Sequence, residues 1–541
     1  MQKVLTAEEM REVDRQTSEK YGIPSILLME NAAHAAANVI KEKLGGSVKG
    51  KSFLILCGKG NNGGDGAALA RILWTQRADV DVILFGTVND SKGDAKVNFE
   101  ILEKIDGEES DQNFTTFGEE ENPSDLLAND FYINLYSKAD VIIDALFGTG
   151  LTTPLQNGLA DYVETSVVCN ENQKNKLFVS IDIPSGLNAD TSEPIGENIQ
   201  ADLTVTFTAP KLANVLPPAS NFNGELFVAN IGSPQELIDN SPSKTFLAEK
   251  SDAQSWLDKT KFTSDSYKNK RGHALLIVGS REYTGAAVLA ANAAMLSGVG
   301  LATVATSESA QNAIASKVLE EVITRRLPET EDGTISDEAF SEIEKLFEKC
   351  DVIGIGCGLG SNEKTTKDFV REVVTKRKTP VVIDADGLNA LAPFDLEGSE
   401  EFPLILTPHE GEFLRLLGAN DKEVLKDRVK AVRDFAEKHK VILVLKGERV
   451  LTAAPDGRVV INPTGNSGLG KAGNGDTLTG SITGFVAQAV QRGVDIFETV
   501  SAAVYISGLA GDIAAEKFGK RTMLASDVRD CLGEAFRRLE S

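Results

Sequence analysis

Two glycine-rich segments, each with an aspartate set inside it and each opening into a helix-like run, carry the chemistry this sequence offers. The first is CGKGNNGGDG, residues 57–66, between the apolar run 53–56 and the run 67–73. The second is GNSGLGKAGNGDTLTG, residues 465–480, leading into the run 481–490. Glycines let backbone N–H groups close on an oxygen-rich ligand, and a helix start adds roughly half a positive charge. A carboxylate among phosphate-facing amides, here Asp65 and Asp476, repels phosphate unless it holds a cation or takes a proton. The expectation is chemistry on a nucleotide-like substrate at two separate sites.

The elements that must position these residues alternate along the chain. After a helical pattern ending at Tyr21-Gly22 and a second over 25–44, apolar on most faces and suited to packing inside or at a subunit contact, come the strand-like runs FLILC, DVDVILFG, DVIIDALFG, KLFVSIDIP and LTVTFTAP. The helical segments ALARILWTQ and LADYVETSVV lie between some of them, and the acidic stretch 106–129 reads as a solvated excursion. A boundary falls within 233–251, after which HALLIVG, LATVAT, DVIGIGCG, TPVVIDAD, PLILTP, VILVLKG, ERVLTAA and RVVIN restart the pattern. The fold expected is α/β in two domains, each a doubly wound, mainly parallel sheet covered by helices. Ligands of such sheets sit beyond the carboxyl ends of the strands. There the noteworthy residues gather: 61–65, Asp144, Asp182, Gly358, Asp384, His409 and Lys446.

Composition bounds the partners. The 541 residues exceed what one core usually serves, and 41% apolar with 25% charged residues is globular. A net charge of −24 argues against nucleic acid and anionic membrane as partners. No apolar stretch reads as a membrane span, and the start reads as a polar helix rather than a signal peptide. Five scattered cysteines without metal spacing suggest buried thiols of a reducing cytoplasm.

In the first half, Gly58-x-Gly60-x-x-Gly63 matches a dinucleotide fingerprint, but the next strand ends at Phe85-Gly86-Thr87 without the ribose-binding acid, which disfavours hydride transfer. Asp144 and Asp182 are strand-end acids, readable as turn formers or as ligands of a hard cation. Together NNGGDG, DALFGTG, DIPSG and GIPSILLMENAA resemble the YjeF N-terminal family, the epimerases of hydrated NADH and NADPH, over roughly 1–235. The resemblance implies a Rossmann-like three-layer α/β/α domain, residues 1–238. It implies that Asn61, Asn62, Gly63, Gly64 and Asp65, with Gly148, Thr149, Gly150, Leu151, Thr152, Thr153 and Pro154, bind the hydrate. Asn62, Asp144 and Ser185 would hold potassium, and Asp182 would touch the substrate as acid/base. Ala33 departs from the family's usual Gly. A catalytically silent dimerisation module is the alternative, set against the retention of Asn62, Asp65, Asp144, Asp182 and Ser185 together.

In the second half, GKAGNGDTLTG lacks the Walker lysine-serine pair, and Gly473-Asn474-Gly475-Asp476 resembles the ribokinase-like anion hole. There amides steady a transferring phosphoryl group and the Asp receives the acceptor's proton. GIGCGLG, VVIDADGLNAL, LTPHEGEF and VLKGERV resemble the ribokinase-like dehydratases of hydrated NAD(P)H, over about 248–541 within a domain placed at 239–541. The resemblance implies that Lys446, Gly447, Glu448, Arg449, Val450, Asn466, Gly468, Lys471, Gly473, Asn474 and Gly475 bind the phosphoryl donor, ADP or ATP with magnesium. Ala286, Gly360, Thr407, Pro408, His409, Glu410, Gly411, Glu412, Phe413 and Asp476 would bind the S-hydrate, with Asp476 catalytic. Val450 stands where the family often has Thr, and Asn474 where Ser, Thr or Ala is commoner. The expected partners are the NADH and NADPH hydrates and ADP, in a homo-oligomer. The rival readings are a small-molecule kinase of the ribokinase superfamily, with a non-catalytic first half, and a plain dehydrogenase.

Overall fold

The computed structural model describes residues 1–106, 112–117, 130–155, 160, 163, 176–264, 266–360 and 363–540. Two compact units emerge, Lys3–Ser243 and Lys244–Ser541 with Met1–Gln2.

In the N-terminal unit seven strands form one sheet, in the order Gln112–Phe117, Asp79–Phe85, Ser52–Gly58, Val141–Ala145, Leu177–Ile181, Leu203–Phe207 and Glu225–Ala229. Every pairing is parallel. Strand Ser52–Gly58 shows why both faces must be covered. Phe53, Ile55 and Cys57 pack with residues of helices Ser25–Lys43 and Asn61–Thr75, whereas Leu54 and Leu56 pack with Leu135 and Ala139 on the opposite face. A strand apolar on both faces is the mark of a doubly covered parallel sheet.

Three expectations change here. Part of the stretch read as a solvated excursion is the edge strand Gln112–Phe117, whose Phe117 is buried and whose Phe114 stacks on Phe99. Acidic neighbours masked its short Phe-Thr-Thr-Phe pattern; residues 107–111 and 118–129, and most of the segment LADYVETSVV, lie outside the described residues. Helix Ser25–Lys43 is one-sided rather than apolar on most faces: Leu28, Met29, Ala32, Ala33, Ala36, Ala37 and Ile40 are buried, while His34 and Lys41 are exposed. The run ELFVA, absent from the sequence reading, is the edge strand Glu225–Ala229.

The second sheet runs parallel from Ile323–Leu327 through Leu301–Ser307, His273–Ile277, Val352–Ile355, Val381–Ile383 and Leu404–Leu406 to Ile442–Leu445. Antiparallel strands Leu451–Ala453 and Val459–Ile461 extend it. Helix Asn474–Arg492 crosses helix Thr284–Leu296 so closely that a Cβ on Gly480 would lie 2.1 Å from the Ala290 carbonyl oxygen. Among the described residues one helix, Ile496–Phe518, has the length and composition a membrane span requires, contrary to the sequence reading, and most of it is buried inside this unit. Its acids, Asp512 among them, hid its apolar character; Asp512 accepts the Gly465 amide at 2.9 Å.

Gly480→Ala should therefore cost about 1–3 kcal/mol of unfolding free energy through overpacking. Gly533→Ala, on a helix position with open space around it, should be neutral or stabilising by up to about 1 kcal/mol. Chemical denaturation of the two variants checks the contrast.

Candidate functional sites

The N-terminal centre begins where strand Ser52–Gly58 turns into helix Asn61–Thr75. The turn is tight enough that a Cβ on Gly63 would lie 1.7 Å from the Gly58 carbonyl oxygen. Gly64 is the first residue of the turn whose amide finds a backbone acceptor, Gly60 at 3.0 Å; the amides of Asn61, Asn62 and Gly63 donate to no backbone acceptor among the described residues. Asn62 is buried with neither polar atom of its side chain hydrogen bonded. Over Gly148, a Cβ would sit 3.2 Å from Asn62 Oδ1 and 3.0 Å from Asp182 Oδ2, which locates both groups against the same glycine.

Asp182 follows strand Leu177–Ile181 with φ of 68°, held by the Ile183 amide bonding the Ile181 carbonyl at 2.9 Å. This three-residue turn is rare and strained, and aspartate is among the few residues that tolerate it. Its Oδ1 accepts from Lys211 Nζ at 2.6 Å and Thr206 Oγ1 at 3.0 Å. Lys211, 1% exposed, spends its other protons on Thr206 Oγ1 (2.9 Å) and the Phe207 carbonyl (3.1 Å). Asp144 is also buried: its oxygens accept the Ser185 hydroxyl (2.5 Å) and amide (2.8 Å) and the Ser180 hydroxyl (2.9 Å). Burial raises the Asp144 carboxyl, against these hydrogen bonds. Burial, with the charges of Asp182 and Asp14, pushes Asp65 well above the usual carboxylate range. Gly150, Thr152, Thr153 and Pro154 form an exposed rim, with Thr149 and Leu151 partly covered.

Asn62 Oδ1, the Asp144 carboxylate and the Ser185 hydroxyl are oxygens of the kind a monovalent hard cation takes, and the unpartnered Asn62 Oδ1 is the atom such an ion would satisfy. Among the described residues no group of three His, Cys, Asp or Glu forms a metal cage.

In the C-terminal centre, Gly473 has φ of 92° and starts helix Asn474–Arg492. The Thr477 amide takes the Gly473 carbonyl at 3.0 Å, and the amides of Gly475 and Asp476 donate to no backbone acceptor among the described residues. Lys446 Nζ reaches Asp384 Oδ1 at 2.7 Å and lies 3.4 Å from where a Cβ on Gly475 would be, so a fixed ammonium stands beside the two free amides. Thr479 Oγ1 holds the other Asp384 oxygen at 2.7 Å. Burial works against the Lys446 charge, but Asp384 and Glu412 outweigh it and raise the ammonium. Asp476 is pushed up to about 6 by burial, with Asp384 and Asp386 adding to the rise and a hydrogen bond from the Cys357 thiol opposing it.

Segment 407–413 meets 446 through the Lys446 amide on the Pro408 carbonyl at 2.8 Å. His409 caps helix Glu410–Leu417, its Nδ1 accepting the Gly411 amide at 3.0 Å and its backbone amide bonding Glu412 at 2.8 Å. The Gly360 amide donates to Asp386 Oδ2 at 2.9 Å, and Ala286 stands against Gly358. Thr407 and Phe413 are fully buried, Phe413 edge-on to Phe435 at 5.3 Å, so these two support the segment from below.

Some expected nucleotide contacts serve the loop itself. Lys471 Nζ is taken by the Arg521 and Met523 carbonyls at 2.5 and 3.0 Å. Asn466 bonds Asp512 and the Gly511 carbonyl and caps the turn at Gly468. Asn474 donates to the Leu469 carbonyl at 3.0 Å, away from the free amides, and its Oδ1 is unpartnered. Arg449 bonds the Pro463 carbonyl, and Gly447 and Glu448 are exposed beside it, with Val450 partly covered. Sequence reasoning missed Lys211, Thr206, Asp14 and Thr479. A lysine directly after the strand-ending Thr-Ala-Pro, and an acid on the apolar stripe of the first helix, were the available signals.

Two parallel α/β units, each with free helix-start amides beside carboxylates, define a two-centre enzyme of anionic, nucleotide-like substrates. Residues 25–213 match the model of the YjeF-related protein N-terminus, and residues 274–533 that of NAD(P)H-hydrate dehydratase. The chain is 40% identical over 539 residues to the bifunctional NAD(P)H-hydrate repair enzyme Nnr of Moorella thermoacetica, covering 99% of this chain and 97% of that protein. It is 36% identical to the enzyme of the same name from Thermofilum pendens, over 99% of this chain and 97% of that one. The ADP/ATP-dependent NAD(P)H-hydrate dehydratase from Bacillus subtilis, co-crystallised with ATP and Mg2+, is 32% identical, with a TM-score of 0.47, covering 54% of this chain and 98% of its own. The chain belongs to the family of bifunctional NAD(P)H-hydrate repair enzymes.

Asp384→Ala should strip Lys446 of its close carboxylate and cost about 2–4 kcal/mol in a denaturation midpoint experiment. Thr479→Val, which leaves the ion pair, should cost about 1 kcal/mol.

Proposed function

We propose that the two units act in series on hydrated NADH and NADPH, the N-terminal one interconverting the R- and S-hydrates and the C-terminal one returning the S-hydrate to NAD(P)H at the expense of a nucleotide. The observation that carries this reading is Asp476, a carboxyl shifted to about 6 at a helix start whose amides are free.

In the C-terminal unit Asp476 receives the proton of the hydrate hydroxyl as that oxygen attacks the terminal phosphoryl group of ADP or ATP. The Gly475 and Asp476 amides and the Lys446 ammonium stabilise the charge that builds on the transferring group. Phosphate then leaves in place of hydroxide, the ring loses a proton, and NAD(P)H is restored. Magnesium, when bound with the nucleotide, would neutralise phosphate charge.

In the N-terminal unit Asp182 is the acid/base. A proton given to the hydroxyl on the carbon beside the ring nitrogen lets the C–O bond break, water depart and the nitrogen lone pair form an iminium. Water returning to either face hands a proton back and scrambles the stereocentre. Lys211 and Thr206 fix Asp182 through Oδ1, and Oδ2 lies toward Gly148. Asn62, Asp144 and Ser185 would hold a potassium ion, which supplies positive charge beside the anionic substrate. The domains are read as 1–238 and 239–541, in a cytoplasmic homo-oligomer.

Acid-hydrated NADH supplied with magnesium and either ADP or ATP should regain NADH absorbance; no recovery with either nucleotide sinks the dehydratase reading, and a stable phosphorylated product favours the small-molecule kinase. Dehydration should slow as pH falls below about 6, where Asp476 becomes protonated and can no longer accept a proton. Asp182→Asn should leave the S-hydrate fully convertible while the R-hydrate accumulates, which chiral separation of the residual hydrate reads directly.

A further inference from the structure

Strands Leu404–Leu406 and Ile442–Leu445 lie side by side and parallel, and one further pairing, His409 with Lys446, continues their ladder past both strand ends. The Lys446 amide on the Pro408 carbonyl, at 2.8 Å, closes that extension. Segment 407–413 and Lys446 are therefore neighbours by sheet register, before any side chain is considered. Helix Glu410–Leu417 then buries Glu412, Phe413 and Leu416. Phe413 and Leu416 belong in an interior. A glutamate on the buried side of a helix does not, unless its charge is paired.

The Glu412 carboxylate is paired on two sides. Its Oε2 accepts the His409 amide at 2.8 Å and lies 3.8 Å from Lys446 Nζ, while Oε1 is 3.6 Å from His409 Nε2. Lys446 Nζ has a second, closer carboxylate in Asp384, at 2.7 Å, and Thr479 Oγ1 steadies that acid in turn. The two acids come from different elements: Asp384 follows strand Val381–Ile383, and Glu412 sits in the helix after strand Leu404–Leu406. One ammonium is thus held between two buried carboxylates, which fixes its direction as well as its distance on a side chain that is otherwise rich in rotamers. A Cβ on Gly475 would lie 3.4 Å from Lys446 Nζ and 3.6 Å from Asp384 Oδ2, so this ion pair stands at the start of helix Asn474–Arg492.

We propose that Glu412 is a positioning residue of phosphoryl transfer: its one carboxylate holds the turn at His409 and, with Asp384, aims the Lys446 ammonium, without touching the hydrate itself. Resting on the dehydratase reading above, this role removes Glu412 from the residues expected to contact the substrate. The consequence is mechanical. The segment expected to carry the hydrate and the charge expected to meet the phosphoryl group are tied by a single side chain, so the spacing between acceptor and donor is set before either ligand arrives. An ordinary capping-box glutamate serves its helix alone. The Lys446 ammonium 3.8 Å away is what sets Glu412 apart.

Glutamine keeps a side-chain oxygen for the His409 amide and removes only the charge, so Glu412→Gln separates capping from positioning. The assay uses the full chain with pure S-hydrate, magnesium and ADP or ATP, and follows recovery of NADH. Glu412→Gln should lower kcat about tenfold, as expected for losing one partner of a charged contact, and leave KM for the hydrate near the wild-type value. Circular dichroism and the unfolding midpoint should stay near wild type, because Asp384 still pairs Lys446. Asp384→Asn combined with Glu412→Gln should lower kcat by more than the product of the two single effects, since either acid can hold the ammonium while the other is gone. An unchanged kcat in Glu412→Gln overturns the inference, as does a double variant equal to that product. A raised KM for the hydrate, with or without loss of kcat, overturns it too, by placing Glu412 against the substrate. Failure of the wild-type chain to recover NADH with either nucleotide would instead overturn the dehydratase reading itself.

Discussion

Both centres depend on backbone amides that the fold leaves without acceptors. At Asn61–Gly63 and again at Gly475–Asp476, a helix starts beyond the carboxyl end of a parallel strand and its first N–H groups donate to no backbone carbonyl among the described residues. Such donors are tolerable only where water or an anion completes them, which makes each helix start a natural seat for an anionic ligand. The parallel sheets make this possible: their crossover helices all begin at one edge, and the acids at the strand ends face the same edge.

The two units solve the same electrostatic problem with opposite emphasis. In the C-terminal unit an ammonium, Lys446, is anchored by a buried aspartate and stands beside the glycine turn, so positive charge is fixed at that helix start. In the N-terminal unit the buried ammonium of Lys211 is held by Asp182, and burial pushes the neighbouring Asp65 carboxyl up. A site that moves phosphoryl groups needs the first arrangement; a site that gives and retakes a proton needs the second.

The architecture was largely legible because both sheets announce themselves as apolar runs too continuous for a strand with one wet face. The placing of Asn61–Asp65, Asp144, Asp182, Lys446 and Asp476 at strand ends and helix starts was legible because glycines and apolar runs frame them. What escaped has physical reasons. Lys211 looks like an ordinary lysine until the fold closes over it. Asp14 breaks an otherwise apolar stripe by a single position. The edge strand Gln112–Phe117 is short and flanked by acids. Local pattern reports which residues lie near a site; only tertiary contact tells which ones point into it.

The left-handed backbone at Asp182 has a corollary for replacement. Asparagine and glycine accept that conformation readily, whereas alanine or a branched side chain adds torsional penalty at the same stroke as it deletes the carboxylate. Of asparagine and glycine, asparagine alone keeps a side-chain oxygen for the buried Lys211, so it is the replacement this turn accepts at least cost.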